Sequence, residues 1–203
     1  MQIIAGTAET LSAKLLSEMA HYRYRVFVEQ LGWKLQVRGR MELDRFDRPD
    51  TCYLVARDAK CEIIGMARLL PTHRPYLLAS VFPQLLGDTP APRTPLVWEL
   101  SRFAAVDLRA RKGVRQDPYG SSVALELLDA AMQFVARQGA QRLVSASPLG
   151  IERILRRAGL KARRAGPPVL VDGQRLFACF MEVDKAWRPG ADHAAAVAAA
   201  SAC

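Results

Sequence analysis

LVWELSRFAAV, residues 96–106, is the stretch from which the fold of this chain can be worked out. Its length and apolar residues predict a β-strand, whose alternate side chains face opposite sides of a sheet. Glu99 and Arg102 interrupt the apolar pattern, and a regular strand would turn them to opposite faces unless a bulge changes the alternation. The two charged residues indicate either a structural ion pair or a site at which a carboxylate takes a proton.

Helical and strand patterns alternate on both sides of this strand. In chain order they predict a helix over 10–31, a hairpin of strands 51–58 and 61–70, irregular structure or short elements over 71–95 and the strand 96–106. They then predict a helix over 121–140, a strand over 141–147, a short helix over 150–160 and a hairpin over 168–183 with a type I′ turn at Asp172-Gly173. This order predicts an α/β fold, a three-layer sandwich with a mixed central sheet and helices on its faces. We expect residues 1–188 to form a single domain and the Ala-rich tail, 189–203, to be disordered.

The composition limits the classes of function. The chain has 29 Lys and Arg against 20 Asp and Glu, and its formal charge of +9 suggests an anionic partner. Four scattered cysteines without a C-x-x-C pair, and no secretory leader, predict reduced thiols and a cytoplasmic location. No apolar run approaches the roughly 20 residues of a membrane span. With three His residues, a metal site is not expected, and dinucleotide and P-loop signatures are missing from the sequence.

ELDRFDRPD, residues 42–50, is an acidic segment immediately before a predicted strand. A solvated loop is one interpretation of such a charge run. However, Phe46 would anchor the segment, and Arg23 and Arg68 lie in elements with apolar patterns. Because an unpaired buried guanidinium costs several kcal/mol, both arginines need anionic partners, unless Arg68 reaches water from an edge strand. The acids of this segment could pair with both and leave one carboxylate for the ammonium group of a ligand.

Taken in order, these residues closely resemble the acyl-homoserine lactone synthases, the autoinducer synthases of bacterial quorum sensing. The resemblance runs from about residue 20 to 185. It rests on an ordered set of motifs: R-x3-F-x5-W (Arg23, Phe27, Trp33), E-x-D-x-F-D (Glu42, Asp44, Phe46, Asp47), Arg68, Phe82, and E-x-S-R-F (Glu99, Ser101, Arg102, Phe103). The ordered set is far more specific than any one of its parts.

The resemblance implies a fold related to the GCN5-type N-acyltransferases and a reaction without a cofactor. The amine of S-adenosylmethionine, a substrate, attacks the thioester of an acyl-acyl carrier protein. Its carboxylate then closes on the carbon next to the sulfonium, which releases methylthioadenosine and leaves an acyl-homoserine lactone. The sulfonium leaving group makes this ring closure feasible without a metal.

The resemblance also implies roles for individual residues. Glu99 is the expected base, and Arg68 and Arg102 are expected to hold the carboxylates of the protein and of the substrate. The residues expected to bind substrate are Arg23, Phe27, Trp33, Asp44, Asp47, Phe82, Ser101, Phe103 and Ser145. Trp33 would belong to a lid. Many family members that prefer 3-oxo chains have Thr where Ser145 aligns, so we expect an unsubstituted acyl chain of medium length.

The C-terminal quarter carries most of the positive charge, and ERILRRAGLKARR, residues 152–164, is its densest part. Carrier proteins are acidic, so complementary fields would steer the two proteins together. The residues expected to dock the carrier protein are Arg153, Arg156, Arg157, Lys161, Arg163 and Arg164. A nucleic-acid-binding patch is the alternative, although no helix-turn-helix or zinc signature supports it.

Acyl-coenzyme A is the alternative acyl donor, since some autoinducer synthases use it. Against ordinary acetyltransferases, the segment RKGVRQDPYG, residues 111–120, lacks their Q/R-x-x-G-x-G/A pyrophosphate signature. A sensor of acyl-homoserine lactones would need an output domain, for which 203 residues leave little room. We therefore expect a monomeric enzyme whose partners are S-adenosylmethionine and acyl carrier protein, without nucleic acid or membrane.

Overall fold

The computed structural model describes residues 1–110 and 121–183. The tail expected at 189–203 and the segment RKGVRQDPYG lie outside the described residues. The described residues fall into two compact units, which are considered one at a time. The first comprises Met1–Arg68 and the described part of Arg102–Leu127, and the second comprises Leu69–Ser101 and the described part of Leu128–Ala191.

Helices and strands alternate along the chain as the sequence predicts. The helices are α1 (Ala13–Arg23), a π-helix (Tyr24–Gln30), α2 (Leu77–Val81), a 3-10 helix (Pro83–Leu86), α3 (Ser122–Arg137) and α4 (Gly150–Arg157). The strands are β1 (Gln2–Thr7), β2 (Val37–Arg38), β3 (Met41–Glu42), β4 (Cys52–Arg57), β5 (Ile63–Pro71), β6 (Val97–Ala104), β7 (Arg142–Pro148), β8 (Ala162–Arg164), β9 (Val169–Val171) and β10 (Gln174–Glu182).

In the first unit, the predicted hairpin of β4 and β5 is confirmed. Its turn is closed by Asp58, whose Oδ1 accepts hydrogen bonds from Lys60 N at 2.9 Å and Glu62 N at 3.0 Å. The sequence analysis did not identify β1, which pairs antiparallel with β4. Strand β1 is only partly buried along its length. Its sequence therefore shows no clear alternation of apolar and polar residues, and the strand becomes evident only from its pairing with β4.

The helix predicted over 10–31 begins as expected, because Ser12 caps α1 by accepting a hydrogen bond from Leu15 N at 3.2 Å. Its second half differs from the prediction, since it is a π-helix rather than a continuous α-helix. The wider turn is seen in the 3.0 Å hydrogen bond from Leu31 N to Val26 O, and Gly32 follows with a φ of +69°. π-turns within helices occur frequently at functional sites.

The apolar core of the first unit joins α1 and the π-helix to β4, β5 and the end of β6. Its fully buried members are Leu15, Met19, Tyr22, Val26, Phe27, Tyr53, Val55, Met66, Ala104 and Val106. Two tyrosines lie in this core. The hydroxyl of Tyr22 donates to Val106 O at 3.1 Å and accepts from Val106 N at 2.9 Å, so its polar atom is satisfied by backbone alone.

The second unit contains a mixed sheet. Strand β6 pairs parallel with β7, which pairs antiparallel with β10, and β8 and β9 both pair antiparallel with β10. The turn between β9 and β10 has positive φ angles at Asp172 (+47°) and Gly173 (+79°), as a type I′ turn requires. The α/β class and the mixed sheet are therefore confirmed.

Two further features bear on the expectations from composition. No helix among the described residues is long and apolar enough to cross a membrane. Cys52 and Cys179 are buried free thiols, in agreement with the expectation of reduced thiols at these two positions.

Candidate functional site

The first unit gathers buried arginines and acids from five separate elements. We call this set the arginine–carboxylate network, and its members are Arg23, Glu42, Asp44, Asp47, Arg68 and Arg102. Arg23, Glu42 and Arg68 are completely shielded from solvent, and Arg102 is 7% exposed. Buried charges are tolerated when they are paired and hydrogen-bonded, and here three guanidinium groups meet three carboxylates. The expectation that Arg23 and Arg68 pair with the acidic segment is confirmed.

Glu42 joins two of the arginines. Its Oε2 accepts from Arg23 Nε at 2.6 Å and from Arg102 Nε at 3.1 Å, and its Oε1 accepts from Arg102 Nη2 at 3.0 Å. Burial opposes the ionisation of Glu42, but the charges and hydrogen bonds of both guanidinium groups outweigh burial and lower its pKa. Glu42 is therefore held as a carboxylate.

Asp47 has the most donors of the three acids. Its Oδ1 accepts from Arg23 Nη1 at 2.6 Å, from Arg68 Nη1 at 3.1 Å and from the Tyr53 hydroxyl at 2.8 Å. Its Oδ2 accepts from the backbone N–H of Asp44 at 2.6 Å. Burial alone would raise the pKa of Asp47, but Arg23 and Arg68 hold it well below its usual range.

Asp44 is the most exposed acid of the network, with 18% of its side chain accessible compared with 6% for Asp47. Its Oδ1 accepts from Arg68 Nη1 at 2.6 Å, and its Oδ2 accepts from Arg102 Nη2 at 2.8 Å. The sequence analysis left one acid free for a ligand, whereas all three acids pair with arginines. Asp44 is the one that a ligand can approach most easily.

Phe46 anchors the acidic segment, as its position between two aspartates predicts. Its ring is 3% exposed, and the Arg68 guanidinium lies 5.7 Å from the ring centroid. The Phe46 carbonyl also accepts from the hydroxyl of Thr51 at 2.6 Å. The loop is thereby held against the first unit by both apolar and polar contacts.

An aromatic pair adjoins the network. The rings of Phe27 and Trp33 are stacked, with centroids 4.9 Å apart and planes inclined by 18°, and Trp33 N donates to Phe27 O at 2.9 Å. The Arg102 guanidinium lies 5.8 Å from the Phe27 centroid, within the range of a cation–π contact. Phe27 and Trp33, both expected to bind substrate, are thus stacked on each other, and Phe27 also contacts the guanidinium group of Arg102.

The backbone of β6 is irregular at Arg102, where φ is +49°. A positive φ is uncommon outside glycine and costs of order 1–3 kcal/mol. This left-handed residue breaks the regular strand alternation, which is the change that the sequence analysis considered for this position. Phe103, the next residue, lies in the same unit and is partly buried.

In the second unit, Glu99 is completely buried and binds the start of α2. Its Oε2 accepts from Leu77 N at 2.9 Å, and its Oε1 accepts from Leu78 N at 2.6 Å. The sequence analysis missed this contact because backbone N–H groups have no side-chain signature. The contact fixes the orientation of the carboxylate and also gives Glu99 a structural role.

The remaining residues expected to bind substrate in the second unit occupy different environments. Ser145 Oγ lies 2.9 Å from Ser147 Oγ, and both serines are buried. Ser101 is 9% exposed in β6. Phe82 is partly buried and stands at the junction of α2 and the 3-10 helix.

The basic residues of α4 and β8 lie at the surface of the second unit. Glu152 binds Arg156 at 3.1 Å and Arg164 at 2.5 Å, and the Arg163 guanidinium lies 5.0 Å from the Phe180 ring centroid. Arg156, Arg163, Arg164 and Lys161 are exposed. The side chains of Arg153 and Arg157 lie outside the described set.

Two residues of the site were not selected from the sequence. Glu42 stands first in the E-x-D-x-F-D motif, so its place in that motif was a usable signal. Tyr53 had no such signal, because an aromatic residue in a strand is common. Among residues 1–110 and 121–183, no group of three or more His, Cys, Asp and Glu side chains is arranged to hold a metal ion.

Comparison with known proteins identifies a family. Residues 7–189 match the family model described as autoinducer synthase. The chain is 50% identical over 183 residues to the acyl-homoserine-lactone synthase of Acinetobacter nosocomialis, an alignment that covers 90% of this chain and 100% of that protein.

Solved structures agree in fold and in sequence. TofI, crystallised in a ternary complex with an inhibitor and MTA, has a TM-score of 0.78 and 47% identity, covering 91% of this chain and 92% of TofI. The CoA-dependent acyl-homoserine lactone synthase BjaI, solved with SAM and isopentyl-CoA, has a TM-score of 0.79 and 27% identity, covering 91% of this chain and 84% of BjaI. An acyl-CoA N-acyltransferase from Pseudomonas aeruginosa has a TM-score of 0.61 at 18% identity, covering 89% and 97%, which confirms the expected N-acyltransferase fold.

Proposed function

Because this chain belongs to the autoinducer synthase family and is thus an acyltransferase, an acyl-homoserine-lactone synthase, we propose that its substrates are S-adenosylmethionine and an acyl-acyl carrier protein. The observation that carries the proposal is the arginine–carboxylate network next to the stacked Phe27 and Trp33. S-adenosylmethionine presents an ammonium group, a carboxylate and a sulfonium. Carboxylates, guanidinium groups and aromatic faces are the protein groups that suit these three charges.

The amino-acid part of S-adenosylmethionine is assigned to the network. Asp44, the most exposed acid, is the assigned partner of the ammonium group. The Nη2 atom of Arg23 is buried and has no hydrogen-bond partner among the described residues, and we assign it to the substrate carboxylate. Arg23 is shielded from solvent, so the substrate can reach it only if part of the first unit moves, and we assign that movement to Trp33 in the lid role that the resemblance implies.

The reaction needs one proton acceptor and two leaving groups. The ammonium group of S-adenosylmethionine first loses a proton to solvent, and the amine then attacks the thioester carbon. The bond to the carrier sulfur breaks, and the departing thiolate takes up a proton to become the thiol. The amine proton goes to Glu99, directly or through water. Backbone N–H groups of β6 between Trp98 and Ala104 are assigned to the thioester oxygen as it becomes negative. The substrate carboxylate then attacks the carbon next to the sulfonium, whose C–S bond breaks to release methylthioadenosine.

Acyl carrier protein is the proposed donor because the exposed arginines of α4 and β8 suit an acidic protein. Arg156 and Arg164 also bind Glu152, and this acid lowers their contribution to the positive electrostatic potential of the surface. Arg163 and Lys161 are the exposed cations we expect to contribute most. Acyl-coenzyme A is the second candidate donor, since BjaI is CoA-dependent and shares 27% of its residues with this chain.

The proposed acyl chain is unsubstituted and of medium length. Ser145 is buried with its hydroxyl 2.9 Å from that of Ser147. A hydroxyl engaged in this pair is less available to bind a 3-oxo group. Exchange of Ser145 for threonine should leave turnover of an unsubstituted donor within about fivefold, since a single added methyl group changes binding by only about 1 kcal/mol.

The test is mass spectrometry of the purified protein incubated with S-adenosylmethionine and a panel of donors. The panel contains acyl carrier proteins and coenzyme A thioesters that carry chains of different length, with and without a 3-oxo group. Lactone and methylthioadenosine should appear together, and the best donor should be a carrier protein. Formation of both products only from coenzyme A thioesters would refute the proposed donor, and formation of neither by folded protein would refute the proposed substrates.

A further inference from the structure

Tyr53 connects the apolar core of the first unit to the arginine–carboxylate network. Its ring is 1% exposed and packs within the cluster formed by α1, the π-helix, β4 and β5. Its hydroxyl donates to Asp47 Oδ1 at 2.8 Å. Since the ring is enclosed by close-packed side chains, the position of the hydroxyl is fixed by the core.

Asp47 needs such a fixed donor. Its Oδ1 atom is shared by Arg23 Nη1 and Arg68 Nη1, and both guanidinium groups stand at the ends of long side chains. The last torsion of an aspartate side chain is broad, because it joins an sp³ carbon to an sp² carbon. The backbone N–H of Asp44 holds Oδ2 at 2.6 Å, and the hydroxyl of Tyr53 is the donor at Oδ1 whose position the core fixes.

We propose that Tyr53 is a positioning residue for the amino-acid part of S-adenosylmethionine: its hydroxyl orients Asp47, and Asp47 in turn holds Arg23 and Arg68 in place for the substrate. This inference rests on the proposed function. Tyr53 acts through Asp47 and does not touch the substrate.

Protonation of the hydroxyl is secure over the range in which an enzyme works. Burial and the neighbouring Asp47 both raise the pKa of Tyr53, and the cations Arg23 and Arg68 only partly oppose them. The hydroxyl therefore remains a donor at neutral pH.

The matched control is Tyr22, another buried tyrosine in the same apolar core. It is 3% exposed, and among the described residues of the first unit its hydroxyl binds only the backbone of Val106. Tyr22→Phe and Tyr53→Phe each remove one buried hydroxyl group from the same apolar core. They differ in whether that hydroxyl reaches the network.

The experiment is isothermal titration calorimetry of both variants with S-adenosylmethionine and, separately, with methylthioadenosine, which lacks the amino-acid part. Tyr53→Phe should raise the Kd of S-adenosylmethionine about tenfold, because without the fixed donor only about one tenth of the protein would hold Asp47 in the binding orientation. The Kd of methylthioadenosine should stay within about twofold of the wild-type value. For Tyr22→Phe, the Kd values of both compounds should stay within about twofold of wild type. In an Asp47→Asn background, Tyr53→Phe should add less than about twofold, because the two residues act as a unit.

Each other result decides against the inference. If Tyr53→Phe binds S-adenosylmethionine as wild type does, the positioning role is wrong while the proposed function stands. Equal weakening for both compounds, or unfolding of Tyr53→Phe alone in a thermal melt, would show a purely structural role. If folded wild-type protein does not bind S-adenosylmethionine, the proposed function fails and the inference with it.

Discussion

Replacing Glu42 with glutamine removes one negative charge from the centre of the network while nearly preserving side-chain volume. Glu42 is fully buried and receives three N–H bonds, two at Oε2 and one at Oε1. The better orientation of the amide places its oxygen at the Oε2 position, which keeps the bonds from Arg23 Nε and Arg102 Nε. Its nitrogen then faces Arg102 Nη2 at about 3.0 Å, donor against donor.

The magnitude follows from these contacts. Removing one partner of a buried ion pair costs about 3–5 kcal/mol, because an uncompensated charge is left behind. Glu42→Gln keeps two of its three hydrogen bonds, so the lower end of that range applies. We therefore expect the free energy of unfolding to fall by about 3 kcal/mol, the lower value for breaking a buried pair.

Urea denaturation followed by circular dichroism measures this change against a matched control. Glu29 also contacts two arginines, Arg40 at 2.9 Å and Arg25 at 4.0 Å, but its side chain is 37% exposed. Glu29→Gln should cost about 0–1 kcal/mol, as exposed pairs do. A loss below about 1 kcal/mol for Glu42→Gln, equal to that of the control, would refute the view that the network is a buried, mutually dependent set of charges.

Four further predictions follow from the same geometry. Glu42 and Asp47 have lowered pKa values in the folded state. Their ionised forms therefore stabilise the fold fully above the unfolded pKa values of roughly 4, and this stabilisation is lost as pH falls below those values. The free energy of unfolding of the wild type should fall more steeply with decreasing pH than that of Glu42→Gln. Trp33→Ala removes the stack on Phe27 and should raise the KM for S-adenosylmethionine up to about tenfold in an assay of methylthioadenosine release. Glu99→Gln should lower kcat about 10²–10⁴-fold in the same assay if Glu99 is the base. Arg163→Glu should raise the KM for acyl carrier protein several-fold at low salt and leave the KM for an acyl-coenzyme A unchanged.

These predictions have separate controls. Equal acid sensitivity of wild type and Glu42→Gln would contradict the pKa argument. Turnover of Glu99→Gln near that of wild type would show that Glu99 is not the base and would leave it a structural role at the start of α2. Arg38→Glu reverses another exposed charge, in β2 of the first unit, and an equal effect of this variant would show that Arg163 acts through net charge alone.

The sequence predicts best those elements whose signals are local. The type I′ turn at Asp172-Gly173 depends only on neighbouring residues, and the structure confirms it. The helix starts are local in the same way, since Ser12 and Ser121 each cap a helix by accepting a hydrogen bond from a backbone N–H three residues later. The π-helix is different, because a wider turn has almost no sequence signature of its own. Strand β1 escaped notice since its stability depends on pairing with β4, a contact between distant parts of the chain.

The same distinction applies to the site. Arg23 and Arg68 could be identified from the sequence because a guanidinium group in an apolar pattern needs an acidic partner. In the structure, Asp47 pairs with both arginines. The partner of Glu99 could not be predicted in this way, because the start of α2 offers only backbone N–H groups. Tyr53 was hidden for a related reason, since its ring satisfies the strand pattern and only its hydroxyl serves the network.

The balance of charge in the network bears on selectivity. Three guanidinium groups and three carboxylates compensate one another, so the set has no net charge with which to attract a simple anion or cation. A ligand that offers only a carboxylate adds an uncompensated negative charge to this neutral set, which is costly in a buried site. A ligand that offers an ammonium group and a carboxylate together can exchange partners with the network and leave every charge paired. Neutrality of the buried set therefore favours a zwitterionic amino-acid group over either of its halves.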